Sequence, residues 1–185
     1  SHSYYKKQQP YDESIRIPMI WYVPERFGMK SRKVDAMINV QDIMPTILGL
    51  AGIAQPDVVE GIDFSNYLKG HENPKDSVAL ISCIQPFGQW SRTKGGKEYR
   101  GIRTPRYTYA RDLNGPWLLF DTRQDIYQMN NLIGNKNFSE LQNHLDDLLN
   151  EKLKQTNDEF LPGMEYVKRW NYPELNSDET VPYTR

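Results

Sequence analysis

Apolar positions fall into short runs separated by turn residues, and the first run, Ile15-Arg16-Ile17-Pro18-Met19-Ile20-Trp21-Tyr22-Val23, ends at Pro24. So dense an apolar, β-branched stretch predicts a strand over 15–23 buried on both faces, the kind that sits inside an α/β sheet. A basic turn at 30–33 follows. Asp42 can then cap a helix over 43–50, with Pro45 in the first turn, where no amide partner is needed, and Gly52 as the stop. Ile43, Ile47 and Leu50 are its expected inward face. Pro56, Gly61 and Gly70 break up a loop-rich stretch holding one apolar patch, Tyr67-Leu68. Residues 77–84 read as a second strand.

Beyond it, Tyr99, Gly101, Arg103, Tyr107 and Tyr109 show strand alternation broken at Pro105. The turn Asn114-Gly115-Pro116 and the run 117–120 complete a hairpin signature. Asn137 followed by Glu140 has the form of a capping box, and Leu141, Leu145, Leu148, Leu149 and Leu153 lie on one helical stripe. After Thr156 the chain is polar and Pro-punctuated, which predicts a tail wrapping the surface with Trp170 and Tyr172 as anchors.

Composition narrows the class. The 185 residues are 38% hydrophobic and 12% aromatic, enough for a packed core and against wholesale disorder. The formal charge of −1 gives no global field for a polyanion. No apolar run approaches the roughly 20 residues of a membrane-spanning helix, so no membrane partner is expected. Cys83 is the only cysteine, so no internal disulfide can form.

Charge is less even locally. Residues 92–111 hold seven basic side chains and one acid, Glu98, with Tyr99, Tyr107 and Tyr109 interleaved. Such a run serves either as a site for an anion, single-stranded nucleic acid included, or as a solvated face paired with the acids of the leucine-striped helix, Glu140, Asp146, Asp147 and Glu151. His2, His71 and His144 show no ligand spacing with each other or with Cys83, so no metal site is expected. The adjacent carboxylates Asp12-Glu13 and Asp146-Asp147 diverge on any regular backbone and read as structural. Cys83, flanked by Ile81 and Ile84, reads as core and not as a nucleophile.

Two stretches change the argument: Lys7-Gln8-Gln9-Pro10-Tyr11-Asp12-Glu13-Ser14-Ile15-Arg16-Ile17-Pro18, and Val40-Gln41-Asp42-Ile43-Met44-Pro45-Thr46 running on to Ala51-Gly52-Ile53. Together they resemble two landmarks of the sulfatases of the alkaline-phosphatase superfamily. Gly61-Ile62-Asp63-Phe64 with Tyr67-Leu68-Lys69-Gly70, Gly101-Ile102-Arg103-Thr104-Pro105, and Leu119-Phe120-Asp121 with Asp125-Ile126-Tyr127 are similar to the family's next signposts, in order, over about residues 1–135.

The resemblance implies an α/β fold. Residues 1–78 would be the C-terminal end of the α/β/α sulfatase core. Residues 79–185 would form a small α+β subdomain, an antiparallel sheet packed by an amphipathic helix, with a wrapping tail. In the family, a Cys or Ser in a Cys/Ser-x-Pro-x-Arg signature is oxidised to formylglycine, and calcium balances the developing charge. Cys83-Ile84-Gln85-Pro86-Phe87 has its Pro at another offset, and no Asp-x-Asp or Asp-His pair precedes Lys7. The expectation is therefore a C-terminal part of a sulfatase that binds neither cofactor itself, partnered by an N-terminal part that holds both. By itself the segment is expected to be inactive. The resemblance also implies export and a sulfated small molecule or glycan as substrate.

By the same resemblance Lys7 matches the lysine in contact with the sulfate or the leaving-group oxygen, where a compact ammonium suits the chemistry. His2 stands five residues earlier, where relatives carry His-Gly-x-x-x-Lys and this chain has Ser3; its expected role is substrate contact, unless Ser1-His2 is a tag remnant. Arg103 is a substrate-rim candidate. The alternative reading, from another class, is a non-enzymatic anion-binding module for sulfated polysaccharide or single-stranded nucleic acid.

Overall fold

A computed structural model describes residues 2, 7–24, 29–72 and 78–182. The chain divides into two compact units, Pro18–Ala79 and the remainder, in which Ser1–Ile17 joins Leu80–Arg185.

The larger unit is built on a four-stranded sheet in the order β1 (Ala79–Cys83), β2 (Tyr99–Arg103), β3 (Tyr107–Asp112) and β4 (Gly115–Asp121). β2, β3 and β4 form an antiparallel meander, with Ile102 opposite Tyr109 and Tyr109 opposite Leu119. Pro105 sits in the β2–β3 turn, which Thr104 closes on Tyr107, and Gly115, at φ 124°, opens β4. The expected hairpin is thus part of a longer meander, and the expected strand at 77–84 is β1; residue 77 lies outside the described residues.

Both sheet faces are covered, because strand residues alternate between them. Tyr99, Ala110, Leu118 and Phe120 form one cluster, against which Tyr11 of the N-terminal segment packs. The other face carries Ile102, Tyr109 and Leu119 and receives α4 (Ser139–Gln155), whose Leu145, Leu149 and Leu153 are buried. The small antiparallel sheet packed by an amphipathic helix is therefore present. α4 begins differently from the expected Asn137–Glu140 box. A 3-10 turn, Lys136–Phe138, precedes it, and the side chain of Asn135 accepts the Asn137 amide at 3.0 Å.

The tail departs from a surface wrap. Its residues 163–169 form a helix, α5 (Gly163–Arg169), which buries Tyr166 and Val167, whereas Trp170 and Tyr172 remain half exposed. The sequence reading missed it because seven residues are too few to display a helical period.

The strand expected over 15–23 is not formed. A single helical turn, α1 (Asp12–Ile15), takes its first residue, and 16–24 runs without regular structure, with Ile20 96% and Tyr22 91% exposed. A strand buried on both faces exists only through ladder partners, and none of the described residues runs alongside this one.

In the smaller unit, a 3-10 turn, Val40–Asp42, leads into α2 (Ile43–Ala51), which Gly52 ends in the left-handed region at φ 70°. The inward face is not Ile43, Ile47 and Leu50: Ile47 is exposed, and the buried side chains are Asp42, Pro45 and Thr46. Backbone satisfaction decides this orientation. The Asp42 carboxylate accepts the Asn39 and Ile62 amides at 2.7 and 2.8 Å, and Thr46 Oγ1 donates to Asp42 O at 2.6 Å while accepting the Phe64 amide at 3.0 Å. Phe64, wholly buried, introduces α3 (Ser65–Leu68). At Gly49 a side chain would meet the Asp63 carboxylate at 2.2 Å, so this close approach requires glycine.

Candidate functional site

Lys7 stands on a short segment held at several points. Gln8, next to it, grips the backbone of Phe87 twice: its Nε2 donates to the carbonyl at 3.0 Å and its Oε1 accepts the amide at 3.3 Å. Gln9 and Pro10 are buried. Asp12, at the start of α1, accepts two bonds from the guanidinium of Arg103, at 2.9 and 3.0 Å. Its amide donates at 2.6 Å to Gln128, whose own Nε2 donates to Thr108 at 3.2 Å inside the sheet. Lys7 itself is exposed and so presents an ammonium from a fixed mount.

It lines a cleft of about 690 Å³ within the larger unit. Ser82, Cys83 and Gln85 of β1 and its exit, Phe87, Trp170 of the tail, and Glu179 and Val181 contribute to its walls. Cys83 is no nucleophile there: burial, followed by the nearby Glu98 charge, pushes its thiol up to about 11, so it stays protonated at neutral pH. The expectation that Cys83 is a packing residue fits its position against the Tyr99–Phe120 cluster.

Neither of the remaining candidates, His2 and Arg103, lines the cleft. His2 Nε2 donates to the Tyr127 carbonyl at 2.7 Å, and the ring stacks on Tyr11 with centroids 4.0 Å apart. Arg103 is engaged with Asp12 and with the Thr104 carbonyl. The structural reading of Asp12 and Asp146 holds, since Asp146 accepts from Tyr109 Oη at 2.7 Å and pairs with Arg111.

The basic run at 92–111 resolves into ion pairs. Arg92 meets Glu98 and Glu179, Lys94 meets Asp178, Lys97 meets Asp112, Arg100 meets Asp158, Arg103 meets Asp12, Arg106 meets Asp121, and Arg111 meets Asp146. All seven cations have carboxylate partners, so the run does not offer the open anion surface that its composition allowed. Only one of those carboxylates, Asp146, lies on the leucine-striped helix; the others are spread from residue 12 to residue 179. Burial raises the Glu98 carboxyl, but the Arg92 guanidinium and the Gly163 amide more than offset this and hold it below its ordinary value.

Among the described residues no group of three or more His, Cys, Asp or Glu side chains is placed to hold a metal ion, and no helix is long and apolar enough to cross a membrane. Sequence reasoning missed Gln8, Gln128 and Glu179. The partner of Gln8 is 79 residues away and that of Glu179 is 87, so local spacing carries no trace of either.

Residues 1–155 match the family described as N-sulphoglucosamine sulphohydrolase, C-terminal. Over 182 residues the chain is 41% identical to an ulvan-active sulfatase of Formosa agariphila, covering 97% of this chain and 34% of that protein. It is 27% identical over 159 residues to an N-acetylglucosamine-6-O-sulfatase of Bacteroides thetaiotaomicron, covering 85% of this chain and 28% of that one. The solved structure of BT4656 in complex with its substrate D-glucosamine-2-N,6-O-disulfate aligns at a TM-score of 0.57 and 28% identity, over 66% of this chain and 25% of that one. The chain thus spans about a third of the length of these relatives or less. With the Lys7 segment, the Asp42–Thr46 hub and the meander all inside the matched range, the chain belongs to the N-sulphoglucosamine sulphohydrolase C-terminal family, the C-terminal part of sulfatases.

Proposed function

We propose that this chain completes a sulfatase that hydrolyses sulfate esters of a carbohydrate, and that Lys7 is its contribution to the reacting centre. The single observation carrying this is the placement of Lys7: an exposed lysine on a backbone segment anchored by Gln8 and α1, on the rim of a cleft. An ammonium there can neutralise a sulfate oxygen and stabilise the departing alkoxide. Relatives named for sulfated carbohydrates support the substrate class. In this proposal residues 1–78 are the C-terminal end of the catalytic α/β core and 79–185 are a small C-terminal α+β subdomain. In the same proposal His2, held by Tyr11 and the Tyr127 carbonyl, is a substrate contact of the assembled enzyme, and Arg103 serves by fixing Asp12.

A formylglycine hydrate supplies the nucleophile in such enzymes and calcium balances the sulfate charge. The described residues offer neither a ligand cluster for the metal nor a Cys-x-Pro-x-Arg signature, so both belong, in this proposal, to an N-terminal part that partners this chain.

The test is Lys7→Ala in the intact enzyme. It should lower kcat/KM on an aryl sulfate by about two to three decades, the roughly 2–4 kcal/mol of one charge-assisted transition-state contact, with the thermal transition unchanged. Lys69→Ala, a change at another exposed lysine, should cost less than twofold by the same reasoning. Equal losses in the two variants would remove Lys7 from the site.

A further inference from the structure

Residues 174–182 fold back as a strap. Asn176 Oδ1 accepts the amides of Asp178 and Thr180, both at 3.0 Å, and the Asn176 amide donates to Thr180 O at 3.0 Å, so the turn closes on itself. Two acids clip it to the loop after β1. Asp178 accepts Lys94 Nζ at 2.9 Å, and Glu179 Oε2 accepts both the backbone amide and Nη1 of Arg92 at 3.0 Å. The Gly88 amide adds a bond to Asp178 O at 2.6 Å. Gln8 holds the same loop, at Phe87. The cleft that Lys7 lines is walled in part by this strap, through Glu179 and Val181, and by Trp170.

Three features define what fits there. The cleft lies within the roughly 300–1,000 Å³ of small-molecule sites, and its walls are mainly apolar with a few polar groups. Trp170 is 53% exposed, and its indole is set by Tyr166 at 5.2 Å and by an edge-on contact to Tyr172 at 6.1 Å, which leaves a large flat apolar surface available. Lys7 supplies positive charge. A ligand with an apolar ring face, hydroxyl edges and an anionic substituent satisfies all three, and a sulfated sugar has that amphipathic form. The tail beyond residue 155 lies outside the matched family range, although the match to the ulvan-active sulfatase runs on into it.

We propose that the tail forms a sugar subsite, in which Trp170 stacks on the saccharide ring adjoining the sulfated position and Glu179, through Arg92, positions the strap that closes the wall. The proposal rests on the sulfatase reading above and deepens it, making the tail the determinant of leaving-group specificity.

The experiment uses the intact enzyme with two substrates, a short acyclic alkyl sulfate with no ring to stack and a sulfated oligosaccharide, plus calorimetric binding of the unsulfated oligosaccharide. Trp170→Ala should raise KM for the oligosaccharide and weaken its unsulfated form by roughly tenfold, the scale of one lost aromatic contact, while alkyl sulfate kinetics stay within about twofold. Trp170→Phe should restore most of the loss. Glu179→Gln should move oligosaccharide KM in the same direction with kcat retained. If Trp170→Ala leaves oligosaccharide KM and affinity unchanged, or impairs both substrates equally, the subsite is wrong, whatever the sulfatase activity. If the wild type cleaves no sulfate ester yet Trp170→Ala still weakens oligosaccharide binding, the subsite stands and the catalytic reading falls.

Discussion

Arg100, on β2, and Asp158, just beyond α4, form a two-point ion pair that joins residues 58 positions apart, with the guanidinium side chain only 1% exposed. Tyr166 Oη lies within hydrogen-bonding distance of both, 3.3 Å from Arg100 Nη2 and 3.1 Å from Asp158 Oδ1, and Phe160 stacks on the guanidinium at 4.9 Å. The pair couples the sheet, the end of α4 and α5 in one network. Removing one partner strands a buried charge, so Asp158→Ala should destabilise the chain by about 3–5 kcal/mol in urea unfolding. A loss under about 1 kcal/mol would mean that water reaches Arg100 and replaces the carboxylate.

Acid should weaken the same region. Asp158 and Glu98 are raised by burial, but Arg100 and Arg92 respectively more than reverse this, so both carboxyls sit below their ordinary values of 3.8 and 4.5. A carboxyl with a folded pKa below its unfolded one contributes stability that is complete above the unfolded value and lost as pH falls through the folded one. The melting temperature should therefore be flat above about pH 5 and fall steeply below about pH 4. Glu98→Gln should melt lower than wild type at neutral pH and show a shallower acid decline. Parallel curves for the two proteins would show that Glu98 is not among the linked groups.

The exposed run after α1 makes a claim about surface. Ile17, Ile20 and Tyr22 are solvent-facing in the 185-residue chain. Apolar side chains in such density on a surface mark a contact region. The chain alone should bind a hydrophobic dye and self-associate, and Ile20→Ser with Tyr22→Ser should reduce both without lowering the melting temperature. Dye-silent, monomeric wild type would show that this run finds cover within the chain.

What was legible followed from range. The leucine stripe of α4 and the strand alternation around Tyr107 and Tyr109 are local periodicities, and both elements stand where they were expected. The buried face of α2 was misjudged because hydrophobicity ranks Ile47 above Thr46, whereas the structure buries the threonine that satisfies Phe64. The stretch at 15–23 carried a strand's composition without a strand's partners, which composition cannot reveal. Lys7 was found through its motif, but the Gln8 and Gln128 contacts that mount it join residues 79 and 116 positions apart.

Gln128 gives the last test of that mount. It is buried at φ 53°, donating to Thr108 Oγ1 and accepting the Asp12 amide, so one side chain ties α1 to the middle of β3. Gln128→Ala removes both bonds and leaves the part-buried Asp12 amide without its acceptor, which should cost about 1–3 kcal/mol. The loss should be local as well as global: hydrogen exchange at residues 12–16 should accelerate more than at β3, because Arg103 still holds Asp12 but the backbone of α1 has lost its anchor. Uniform acceleration over the whole unit would mean that Gln128 supports the fold at large, and Lys7 would then owe its position to Gln8 alone.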